Sequence, residues 1–430
     1  MTAATAPAAS NAAAASNAPA PAAVEPMNLK IPVTGVVVLL LQGLMALGAH
    51  GTTTFRLTVA SDFLQLEDST LSARLVILTA AGIVAAATAV ALVRARGRRR
   101  VPTWATAVIG TGFVIAFLAW AGAGRSGVIP LVTILSSALG LSVPLVYGSL
   151  AGIIGERSGT INIAIEGQLL GGAFLGAVVA SACSNPWMGL VAAPVAGVLV
   201  ALLLALFGLR YRVNQIVVGV VLNVLVSGLT GFLFSTFLSS SPSLNRALRL
   251  PTLAVPVLSR IPIIGPVLFR QTILVYLMYV VVAILSYMLF RSRWGLRLRA
   301  CGEHPKAADT VGIKVMRTRV VNLALAGALA GLGGAFFTVG SGLSFDNDMT
   351  AGNGYIALAA MILGAWRPLG SLGAALLFGF ATSVAQTLPV IGSSVSPDII
   401  SMIPYIVTIL AVAGFVGKVR APAAEGVPYP

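Results

Sequence analysis

A chain of 430 residues would ordinarily divide into roughly two or three soluble domains, but 57% of this one is hydrophobic and only 9% is charged. Such a composition leaves too little charge to cover a water-facing surface, and the mean hydropathy of +0.96 excludes a soluble protein. The net charge of +15 does not point to nucleic acid, because the basic residues sit in short loops between apolar runs, where they set membrane orientation.

The chain opens with residues 1–26, rich in Ala, Pro, Asn and Ser and almost without charge. Nothing there can bury a core, so a disordered tail is expected over residues 1–30. The run 31–49 lies too far from the N-terminus for a cleaved secretory leader and is taken as a first span. Further spans are predicted over 71–93, 104–122, 130–152, 161–182, 188–209, 214–238, 271–290, 320–340, 355–366, 369–388 and 399–417. The expected fold is therefore all-α, a polytopic transmembrane bundle of about 10–12 spans. The segment 355–366 is too short to cross alone, which predicts a half-helix or re-entrant piece. The predicted parts are an added hairpin over 31–100 with a basic loop, a main transmembrane domain over 101–417, and a tail over 418–430.

Charge sets the orientation. Of the 27 basic residues, 20 fall on one side, including Arg94, Arg96, Arg98, Arg99, Arg100 and those of the loop 291–319. That side is the cytoplasm, and both termini are predicted to lie there. The loop 239–270 is external despite four Arg, as long loops obey the rule less strictly. Glycines four apart, such as Gly172 and Gly176 or Gly327 and Gly331, allow helix backbones to approach closely in lipid.

Three segments interrupt the apolar pattern. The first, Gly155 to Gln168, is a polar turn leading into a span that carries Asn162, Glu166 and Gln168. On that helix Asn162 and Glu166 lie one turn apart and share a face. A carboxylate is costly in lipid, so Glu166 must face the bundle interior or a wet path; capping a neighbouring helix is the competing role. The second is cytoplasmic, Ala300 to Ile313, where a short helix from Pro305, with Gly312 near its end, has the form of a docking element. Its competing role is a solvated loop that only fixes topology. The third, Gly354 to Gly370, is a short apolar stretch ending at Trp366-Arg367-Pro368, the interrupted-helix pattern of transport proteins.

No catalytic constellation is present. The two histidines, His50 and His304, form no metal cluster, and Cys183 and Cys301 are predicted on opposite sides of the membrane. Gly417-Lys418 lacks both the upstream glycine and the following hydroxyl of a phosphate-binding loop.

Together the three segments resemble the permeases of ABC importers for simple sugars, nucleosides and branched-chain amino acids, over roughly residues 125–417. The stretches from Glu156-Arg157-Ser158-Gly159 to Glu166-Gly167, and from Ala357-Leu358-Ala359-Ala360 to Pro368-Leu369-Gly370, are most similar to the nucleoside-type permeases, which work with lipoproteins of the basic membrane protein family. The spacing of Ala307-Ala308 and Gly312 resembles an ABC coupling loop, although Lys306 stands where many have Glu. The resemblance implies a multi-pass protein of the bacterial plasma membrane that binds no cofactor itself and works by alternating access. The implied partners are a cytosolic ATPase that uses ATP, a second permease subunit, an extracytoplasmic binding lipoprotein, membrane lipid and a small-molecule substrate. It places coupling on Gly302, Glu303, His304, Pro305, Ala307, Ala308 and Gly312. Asn162, Glu166, Gln168, Asn214, Gln215, Asn223, Asn322 and Tyr355 are the candidate path residues, neutral hydrogen-bonding groups for the most part. Sugar or branched-chain amino-acid import is the alternative within this class. An ion-driven secondary transporter is disfavoured by the scarcity of intramembrane carboxylates, and a non-transporting scaffold by the helix interruptions.

Overall fold

The computed structural model describes residues 29–59, 65–99, 101–125, 127–246, 248–392, 398, 400, 402, 404 and 420–429. The predicted N-terminal tail and most of the predicted span 399–417 lie outside them. Ten of the described helices are long and apolar enough to cross a bilayer. A helix satisfies its backbone within itself, so it is the form such runs take in hydrocarbon.

The chain divides into two compact units. The first comprises residues up to 53 and 71–124, and holds α1 (Lys30–Gly48), α2 (Ala73–Arg96) and α3 (Thr103–Ala121). Small residues set its packing: Gly35 sits against Thr88, and Gly112 against Val84. The buried Gln42 donates to the Gly112 carbonyl at 3.0 Å. Helix α3 belongs with the two preceding helices in this unit, whose boundary falls at Gly124.

The second unit runs from Arg125 to the C-terminus and includes Thr54–Thr70. Its hub is α4 (Leu131–Arg157), buried along nearly its whole length from Val143 to Glu156. Around it lie α5 (Ile165–Ala182), α6 (Pro186–Ala205) and α7 (Gln215–Leu233). After the turn α8 (Ile264–Leu268) come α9 (Ile273–Arg291), the short α10 (Arg293–Glu303) and α11 (Pro305–Thr310), then α12 (Val315–Gly334). The half-helix α13 (Asn353–Leu363) and α14 (Pro368–Val390) complete the described bundle. Basic residues close α2, α4 and α9 at Arg96, Arg157 and Arg291, the ends that charge had placed in the cytoplasm.

Helix α12 is wedged between α5 and α6 at glycines. A Cβ on Gly172 would strike the backbone of Gly331, and one on Gly197 the backbone of Gly327. Without a hydrophobic force between helices in lipid, such close approach is what holds them together. Gly331→Leu should cost at least about 1–3 kcal/mol through overpacking and sharply reduce the folded permease recovered from membranes. Wild-type recovery and thermal unfolding of that variant would contradict the close approach.

The long segment between α7 and α9 is structured. Thr252–Ala254 pairs antiparallel with Arg270–Thr272. Asn245 clamps both backbone groups of Phe345, donating at 2.9 Å and accepting at 2.7 Å.

Candidate functional site

Two interrupted segments meet inside the second unit. The first follows α4. Gly159 turns the chain with φ +91°, in the left-handed region, and residues 160–164 continue without helical structure although they are largely buried. Their backbone groups find partners on α7: Gln215 Oε1 accepts from the Ile161 N–H at 2.8 Å, and Asn223 Nδ2 donates to the Ile163 carbonyl at 3.0 Å. Helix α5 begins only at Ile165. Asn162 therefore precedes the helix, and the expected shared face with Glu166 does not form. Asn162 instead makes a reciprocal amide pair with Gln168, both bonds at 3.1 Å.

The second interruption precedes α13. Asp348, Ala351 and Gly352 all have positive φ, which turns the chain into the half-helix. At about 1.5 Å per residue, the 11 residues of α13 rise only about 16 Å, half a membrane. Its N-terminus abuts the first turn of α5. The Glu166 carboxylate accepts from Thr350 Oγ1 at 2.6 Å, the Gly352 N–H at 2.9 Å and the Gly354 N–H at 2.5 Å. A helix N-terminus exposes unsatisfied N–H groups and partial positive charge, and Glu166 meets both. A Cβ at position 354 would collide with Glu166, which accounts for glycine there.

Asn223 ties the two interruptions together. Its Oδ1 accepts from the Gly167 N–H at 2.8 Å, and its Nδ2 also donates to Tyr355 Oη at 3.1 Å. One turn further along α7, Ser227 Oγ donates to Asp348 Oδ1 at 2.6 Å. Asp346, Asn347, Asp348 and Tyr355 are exposed on the chain, and neither aspartate makes an ion pair among the described residues. The flanking surface of α7 is apolar, with Val217, Val220, Val221, Val224 and Leu225 all exposed. Ser227 stands halfway along the apolar stretch Gln215–Leu238, so this polar strip lies near mid-depth.

The structure thus unites Glu166, Asn223 and Tyr355. Gln168, Asn162 and Gln215 are buried behind them and support the turn. Asn214 caps α7, accepting from the Ile216 and Val217 N–H groups. Asn322 donates to the Thr318 carbonyl in its own helix. Sequence reading missed Ser227, Asp346 and Asp348; the signal was the run Asp346-Asn347-Asp348 between two apolar segments. A separate cavity of about 280 Å³, lined by Ser136, Arg249, Gln271, Phe336 and Gln386 among others, does not touch this crossing.

The opposite end of α13 is equally ordered. Helix α13 ends in a turn with Ala365 and Trp366 at positive φ. That turn is held by Arg157, which donates to the Trp366 carbonyl at 3.2 and 3.3 Å, and by the Trp366 indole, which donates to Glu156. Gly302 lies against the Arg157 carbonyl. Ala308 is buried against Cys301 and Val315, so its small size serves the protein's own packing and not an outer groove. The outward face of this segment carries Glu303, His304, Lys306, Ala307, Asp309 and Gly312, with Val311 75% exposed. Pro305 is half-buried at the start of α11.

A helical bundle in which a non-helical turn meets the N-terminus of a half-length helix, with short helices exposed between two spans, has the pattern of a multi-pass transport permease. Residues 134–412 match the family described as branched-chain amino acid transport system / permease component, and this chain belongs to that family. It is 37% identical over 309 residues to the guanosine ABC transporter permease protein NupQ of Bacillus subtilis, covering 69% of this chain and 96% of the relative. It is 38% identical over 306 residues, with the same coverages, to the nucleoside ABC transporter permease protein NupC of Lactococcus lactis. A putative glucose ABC transporter permease protein, TsgC13 of Haloferax volcanii, is 30% identical over 298 residues, covering 64% of this chain and 89% of the relative. No solved structure matches the chain. Helices α1 to α3 precede the matched region.

Proposed function

We propose that this chain is the permease subunit of an ATP-driven importer of nucleosides in the plasma membrane, and that the strip of Ser227, Asp348 and Tyr355 borders the substrate route. The observation that carries this reading is an acidic, hydroxyl-bearing strip exposed near mid-depth of an otherwise apolar surface. Carboxylates do not face lipid without large cost, so the strip must face water or protein. A second permease subunit covering it, with a wet path between, satisfies that demand. Asp348 and Ser227 suit the paired hydroxyls of a ribose, and the Tyr355 ring suits a flat base. Names of relatives at 37% and 38% identity, for guanosine and for nucleosides, support the substrate class.

The remaining partners follow from the same reading. This chain binds no cofactor; a cytosolic ATPase consumes ATP and docks on the face around Lys306 and Val311. An extracytoplasmic binding lipoprotein delivers substrate. ATP binding and hydrolysis then bias the bundle between two states through differential contacts.

The test is uptake of labelled nucleoside, normalised to permease in the membrane. Asp348→Ala removes a charged acceptor worth about 1.5–3 kcal/mol, so uptake at low substrate should fall by roughly tenfold or more. Tyr355→Phe, which loses one neutral bond, should fall less. Unlabelled nucleoside should compete and glucose should not. Full uptake by Asp348→Ala would remove the strip from the route, and competition by glucose alone would reassign the substrate.

A further inference from the structure

The chain's end is not a loose tail. Residues 420–429 fold back onto the cytoplasmic side of the second unit and bond to two regions that are far apart in sequence. Toward the docking segment, the Ala424 N–H donates to the Gly302 carbonyl at 2.8 Å, and the Ala423 N–H to Glu303 Oε2 at 3.3 Å. Tyr429 Oη donates to Asp309 Oδ2 at 2.9 Å, and its ring packs on the cluster of Cys301, Ala308 and Val315. Toward the first interruption, the Gly426 N–H donates to the Gly159 carbonyl at 3.3 Å, and Gly426 rests on Ile161. Burial pushes the Glu425 carboxyl above the usual range.

Arg319 fastens this arrangement. It is fully buried, and its guanidinium donates to the carbonyls of Val427 at 2.8 Å, Ala424 at 3.4 Å and Cys301 at 3.4 Å. The last carbonyls of a helix lack partners within it. Here the Cys301 carbonyl finds one in Arg319 and the Gly302 carbonyl one in the tail. Gly159 lies directly against the same guanidinium. One buried cation, held by backbone carbonyls, therefore joins the end of the docking segment, the tail and the root of the interrupted segment.

We propose that residues 420–429 are a positioning strap, which makes the docking segment and the 159–164 turn move as one body when the ATPase displaces the former. The inference rests on the proposed coupling to an ATPase and adds a part to it. Without the strap, the docking segment still presents Lys306 and Val311, both exposed on its outward face. What is weakened is the connection from there to Gly159, which then rests on the contact of Gly302 with Arg157 and Gly159 and on Arg319 alone, and through Ile161 and Ile163 the connection to the crossing at Glu166 and Asn223.

The experiment is truncation after Lys418 in the full transporter, reconstituted with its ATPase and binding protein. Three quantities are read: ATPase co-purification, ATP hydrolysis stimulated by loaded binding protein, and nucleoside uptake per ATP. The ATPase should still co-purify, while uptake per ATP falls by roughly tenfold, within the range of ordinary coupling energies. A synthetic peptide of residues 420–430 added in excess should restore part of the uptake. Tyr429→Phe, which keeps the ring and loses one bond, serves as the mild variant if truncation lowers the yield, and should lower uptake per ATP by a smaller factor. Unchanged uptake per ATP in both variants overturns the strap. Loss of ATPase co-purification on truncation also overturns it, since the tail would then be part of the dock itself. Failure of the intact chain to bind any ATPase would instead overturn the coupling reading on which the strap rests, so the two failures are told apart.

Discussion

Replacing Glu166 with Leu is expected to abolish nucleoside uptake and to lower the amount of permease in the membrane. The carboxylate accepts three bonds from Thr350, Gly352 and Gly354. Leu leaves those donors unmet, each at a cost of about 1–3 kcal/mol, and removes the negative charge from the N-terminus of α13. The half-helix then loses its anchor on α5. Glu166→Gln is the informative partner. Its carbonyl oxygen still serves Thr350 and Gly352, but its amide N–H₂ is set against the Gly354 N–H, donor against donor. One charge-assisted bond worth about 1.5–3 kcal/mol is lost, so normalised uptake should drop roughly tenfold or more while the protein still reaches the membrane. Full normalised uptake by the Leu variant would show that the crossing is not needed for transport.

The second large effect is expected in the docking segment. Ala308→Glu places a carboxylate in the enclosed cluster of Cys301, Val315 and Tyr429. An unpaired buried acid costs several kcal/mol or takes up a proton, and the segment must open to reach water. Gly312→Pro fails for another reason. Gly312 has φ +82°, whereas proline is held near about −65°; its N–H also donates to the Asp309 carbonyl at 2.9 Å, and proline has none. Both variants should lose the ATPase in co-purification while remaining in the membrane. The loss comes from collapse of the segment's own packing, so Val311→Asp, on the outer face, should lose the ATPase without lowering thermal stability. Wild-type ATPase recovery in all three variants would leave the docking segment without a role.

These expectations changed between sequence and structure for definable reasons. Asn162 and Glu166 are four residues apart, which implies one face only if both are helical. The glycine turn at Gly159 delays the helix to Ile165, and long-range bonds from Gln215 and Asn223 make the non-helical path tolerable. Arg319 was counted among the charges that set topology. It lies in α12, buried, and its acceptors come from α10 and from a tail more than a hundred residues away. Ala308 had the small side chain expected of a docking surface, yet the same size is required by inward packing, and spacing alone cannot separate the two.

Hydropathy and charge are sums over neighbouring residues. The existence of the spans, the basic residues that close them at Arg96, Arg157 and Arg291, the short half-helix before Trp366 and the resemblance to a permease family were therefore legible in the chain before any folding was considered. The meeting of the two interruptions was not, because Glu166 and Gly354 become partners only when α5 and α13 are brought together around α4. The same holds for Asp348, which reads as a loop residue until α7 places Ser227 beside it near mid-depth. A hydrogen bond between residues nearly two hundred positions apart leaves no local periodicity, so only the packed bundle could assign these side chains to one site.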